Sequence, residues 1–68
     1  MPTIQNEIIT ARINKGLTQR ELGERLGYQS KSAQVTVARW EAGTRPVPRE
    51  KILELCKLLD LDPMMFLR

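Results

Sequence analysis

The sequence contains no histidine and only one cysteine, Cys56. Without histidine, the common catalytic triads and the usual zinc sites cannot be built, and few groups titrate near neutral pH. One thiol cannot close an internal disulfide or form a thiolate metal cluster, which fits a reducing compartment. No apolar run approaches the ~18 residues needed to span a bilayer, and no charged-then-apolar leader follows Met1. Strand-like alternation, internal repeats and low-complexity stretches are also missing. These absences lead us to expect a cytoplasmic, non-enzymatic protein with no metal, cofactor, membrane or small-molecule partner.

What is present belongs to an ordinary globule, with 41% apolar and 28% charged residues in a chain of 68. That length makes residues 1–68 a single domain. Such a short domain buries only about 60% of its unfolded surface, so its stability margin is thin. The net charge of +3 is unevenly spread. Residues 1–49 carry eight basic and four acidic side chains, whereas residues 50–68 carry three and four. A basic front suits a polyanion, although charge alone favours the plainer reading of a solvated surface.

Helix punctuation is clear along the chain. Thr3 can cap a first helix in which Ile4, Ile8 and Ala11 recur at helical spacing, and Gly16 ends it. Thr18 and Glu21 form a capping box flanked by a Leu17–Leu22 hydrophobic staple, so a second helix starts at Gln19 and stops at Gly27. A third helix presents Val37 and Trp40 inward and ends at Gly43; either Ser30 or Ser32 can cap it. After a proline-bearing loop, Thr44 to Pro48, residues 49–59 form a fourth helix that buries Ile52, Leu55, Cys56 and Leu59. Asp62-Pro63 opens a short fifth. The fold class is therefore all-α, with five short helices. The second and third can cross steeply, because Gly23 is small at their contact and Gly27 allows the turn. Leu22, Leu26, Val37 and Trp40 lock the pair, which is what a helix-turn-helix demands.

The segment from Gly16 to Gly27, GLTQRELGERLG, followed by Ala38-Arg39-Trp40-Glu41-Ala42-Gly43, resembles the lambda-repressor/Cro (XRE-type) helix-turn-helix family. Leu53 to Leu59 and Leu61-Asp62-Pro63 continue the likeness, which covers nearly the whole chain from Ile4. One departure stands out: the interval from Gly27 to Trp40 is four residues longer than the family's. The extra residues, within Tyr28 to Ala33, either lengthen the turn or add about one turn to the start of the third helix.

The resemblance implies sequence-specific binding of double-stranded DNA by a prokaryotic or phage regulator, most simply a repressor acting as a homodimer on a palindromic operator. Counted back from Trp40, it places Gln34, Val35, Thr36 and Arg39 at the major groove. There Gln suits adenine, Arg suits guanine, and Val or the Thr methyl suits the thymine methyl. An ordinary exposed helix face is the plainer alternative. If the third helix is the longer one, beginning at Ser30, then Lys31 and Ser32 also reach bases; if the extra residues bulge, Lys31 can touch only phosphate. We expect the longer helix. Gln19, Thr44 and Arg45 match phosphate-contacting positions. Arg12 and Glu41 match a partly buried ion pair that points the guanidinium at DNA. Trp40 and Cys56 are expected in the core. In the apolar tail, Met64 and Leu67 are candidates for the dimer contact, and Met65 and Phe66 for the core. A protein-interaction module of the antitoxin type is the rival reading.

Overall fold

The computed structural model describes residues 3–66, which form four α-helices and one closing turn of 3-10 helix. They are α1 (Ile4–Asn14), α2 (Gln19–Arg25), α3 (Ser30–Ala42), α4 (Arg49–Leu59) and the turn Pro63–Phe66. The expected fifth helix is thus the 3-10 turn, where the Asp62 carboxylate accepts from the Met64 amide at 3.0 Å.

Local chemistry sets the boundaries. Thr3 caps α1 by accepting from the Asn6 amide. The capping box of α2 is complete, since Thr18 Oγ accepts from the Glu21 amide at 3.0 Å and Glu21 Oε1 accepts from the Thr18 amide at 2.9 Å. The Thr18 amide, and then the hydroxyl, hold the Glu21 carboxyl below its ordinary value. At the other end of α2, Gly27 adopts φ +96°, and Tyr28 N–H reaches back to the Gly23 carbonyl at 3.0 Å. That left-handed turn closes the helix and sends the chain into α3. The end of α4 is closed in the same way by Asp60, a non-glycine residue at φ 57°. Its carboxylate is paired with the Lys15 ammonium.

α3 spans 13 residues, so the extra residues extend the helix instead of bulging. Neither serine caps it. The N-cap is Gln29, which offers no side-chain hydrogen bond, and Ser30 is already the first helical residue. The physical reason is competition for the hydroxyls: Ser30 donates to the Glu24 carboxylate, and Ser32 donates to the Gln29 carbonyl at 3.2 Å.

The core draws on every helix. Ile8 comes from α1, Leu22 and Leu26 from the helix-turn segment, Val37 and Trp40 from α3, and Leu55 and Leu59 from α4. Cys56 is buried as expected, and burial pushes its thiol pKa up, which leaves it a small apolar filler. Tyr28 packs edge-on to Trp40 with ring centroids 5.8 Å apart. Lys51 of α4 lies over the Tyr28 ring and donates to the Leu26 carbonyl at 2.7 Å, which ties α4 to the turn.

The closest approach lies between α2 and α3. A Cβ on Gly23 would meet Cα, Cβ and O of Ala33, each at 2.7 Å. Gly23→Ala should therefore destabilise the domain by about 1–3 kcal/mol, read as a lower urea midpoint. Adding Ala33→Gly should recover little, because two of the three clashing atoms belong to the backbone. Full recovery would place the whole clash on the Ala33 methyl and refute this account.

Candidate nucleic-acid interface

The inner face of α3 is set by Ala33, Val37 and Trp40, at spacings of four and three residues. Turning half-way round the helix brings out Lys31, Val35 and Arg39, which repeat every fourth residue and are all exposed. Ser32 and Gln34 are exposed beside this stripe, while Thr36 is half-buried. Val35 is 48% exposed despite its apolar side chain, in the middle of a polar stripe. The only acid between Ser30 and Ala42 is Glu41, and it is turned inward.

A cleft lies on either side of α3. The first, about 640 Å³, is lined by Arg12, Leu17, Gln19, Arg20 and Gln34 among others. The second, about 420 Å³, is lined by Thr36, Arg39, Trp40, Arg45, Pro46 and Pro48. The candidate residues thus divide, with Arg12, Gln19 and Gln34 on one flank and Thr36, Arg39 and Arg45 on the other. Lys31 and Val35 lie along the exposed stripe of α3 and line neither cleft. Thr44 is exposed in the turn after α3, where its hydroxyl donates to the Arg39 carbonyl at 3.3 Å. Arg20 lines the first cleft and was not singled out from the sequence, although it directly follows Gln19 at the start of α2. Met64 lines neither of these clefts and is 57% exposed, whereas Leu67 lies outside the described residues. Phe66 packs against the core as expected; Met65 is half-buried and apart from that cluster.

The clefts have a polar foundation. Glu41 accepts from Arg12 Nε at 2.6 Å, from Arg12 Nη2 at 3.3 Å and from Gln19 Nε2 at 3.0 Å. Arg12 Nη1 donates in addition to the Leu17 carbonyl at 2.9 Å. The expected ion pair is therefore present and also holds Gln19. It joins α1, the α1–α2 turn, the start of α2 and the end of α3. Side-chain exposures of 15% for Arg12 and 7% for Glu41 make it a largely desolvated pair.

This arrangement is suited to duplex DNA. A helix about 10–12 Å across fits a major groove about 12 Å wide, and cations on both flanks can meet the phosphates bordering it. A family model described as helix-turn-helix matches residues 8–66. The chain belongs to the helix-turn-helix family. Within it, the chain is of the XRE type, like the lambda repressor and Cro, a class of DNA-binding regulators. Comparison with curated proteins and with solved structures gives no match. No helix of this helix-turn-helix domain, among the described residues, is long and apolar enough to cross a membrane.

Removing one partner of a desolvated ion pair strands the other, which typically costs about 3–5 kcal/mol. Glu41→Ala should lose on that order, a large share of what so short a chain possesses. The double variant Arg12→Met/Glu41→Leu should be more stable than Glu41→Ala in urea melts, since no buried charge is left alone. If the double variant melts first, the pair contributes net attraction and this reading of it is wrong.

Proposed function

We propose that this helix-turn-helix domain recognises a specific double-stranded DNA operator by inserting α3 into the major groove. Gln34, Val35, Thr36 and Arg39 read bases, joined by Lys31 and Ser32 on the added first turn. Arg12, Gln19, Thr44 and Arg45 engage the phosphates on either side. Two copies pair through Met64 and Leu67 on a palindromic site, and occupancy of that site represses transcription. The observation that supports this most is the stripe of Lys31, Val35 and Arg39, free of acids and flanked by two clefts that carry arginines.

Cations at phosphates release condensed counterions, so the slope of log affinity against log salt should be steeper than about −3. A flat salt response overturns the DNA reading. Selection of sites from random duplexes should recover two half-sites about one helical turn, ~10 bp, apart. A single unrepeated half-site bound by a monomer contradicts the two-fold pairing.

Lys31 tests the use made of the longer helix. Lys31→Ala should lose discrimination at one base pair, worth about 1–3 kcal/mol, with the other positions unchanged. A uniform loss across single-base operator variants, with a shallower salt slope, would make Lys31 a phosphate contact only.

A further inference from the structure

The first turn of α3 begins without support from its own cap. A helix N-terminus leaves four amides without intrahelical partners, and its opening residues fray unless something holds them. Gln29 provides no side-chain hydrogen bond to this end. Tyr28 packs on Trp40 just before the helix, and within α3 itself apolar anchoring begins at Ala33, which presses on Gly23. Before Ala33, the one side-chain bond among the described residues from this turn to another helix is Ser30 Oγ donating to Glu24 of α2. Ser30 lies seven residues before Val37, which returns it to the side facing α2. Lys31 is the next residue, rotated about 100° outward. Glu24 is in turn held by Arg20 Nε at 3.4 Å, one helical turn earlier on α2. That cation offsets a carboxylate that would otherwise repel nearby phosphates.

We propose that Glu24 and Ser30 are positioning residues, a clasp from α2 that fixes the added turn of α3 so that Lys31 meets one further base pair at the edge of the half-site. The proposal rests on the DNA reading above and deepens it. Neither residue touches DNA. Their effect passes through Lys31. The hydrogen bond from Ser30 also holds the Glu24 carboxyl below its ordinary value.

The test uses the operator recovered by site selection and a panel of its single-base variants. Ser30→Ala and Glu24→Ala should each reduce discrimination by about two- to fivefold at the base pair that Lys31→Ala affects, the range for an exposed polar pair. Other positions should keep their preferences, and the double variant should be no worse than either single one. Ser30→Thr keeps the hydroxyl and Glu24→Gln keeps an acceptor, so both should preserve the discrimination. In a Lys31→Ala background, Ser30→Ala should have no further effect. Unchanged discrimination in Ser30→Ala, or an equal loss at every base pair, overturns the clasp while leaving DNA binding intact. Failure of the unaltered chain to bind any duplex overturns the DNA reading and the clasp together.

Discussion

Two helices of seven and 13 residues must lie in backbone contact for this domain to exist, and the bare Cα of Gly23 against Ala33 is where that contact is made. Short helices have little stability of their own, so nearly everything comes from the surfaces they bury together. Close approach at Gly23 lets Leu22 and Leu26 reach Val37 and Trp40, and the same packing directs Lys31, Val35 and Arg39 away from the protein. The core and the proposed recognition surface are therefore two sides of one helix, fixed by a single crossing. A change at the crossing shifts both.

The Arg12–Glu41–Gln19 network plays a different part. Burying an ion pair seldom adds much stability, because desolvation offsets the attraction. What it adds here is a defined arrangement of four chain segments around one carboxylate. Side chains already held before DNA arrives have less freedom to lose on binding. Gln19 and Arg12 are of this kind, both being held by Glu41.

Much of this was legible because it depends on short-range chemistry. The capping box at Thr18 and Glu21, the Leu17–Leu22 staple and the glycines at helix ends each act within a few residues, so spacing alone reveals them. The helical periods of Ile8, Val37, Trp40 and Leu55 likewise marked the core. What escaped depends on partners distant in sequence. Ser30 looked like a cap, but its hydroxyl found a carboxylate on α2. Asp60 gave no sign that it would turn left-handed, and the lysine paired with it lies in the first third of the chain. Lys51 reads as an ordinary helix-surface cation, yet it bonds the Leu26 carbonyl and covers Tyr28. Arg20 became notable only once Gln34 was seen across the same cleft.

The length of α3 has a further consequence for how such domains can vary. Four residues turn a helix by about 400°, only about 40° past a full revolution. Relative to the family's spacing, the added segment therefore keeps its phase: Ala33 falls four residues before Val37 and seven before Trp40, on the buried side of all three. An addition of two residues would rotate everything before it by about 200° and put polar side chains into the core. Reach and packing are thus separable quantities in this architecture. A helix placed as α3 is can grow by about one turn with its buried side nearly in phase, and such an increment presents a fresh set of outward side chains to natural variation.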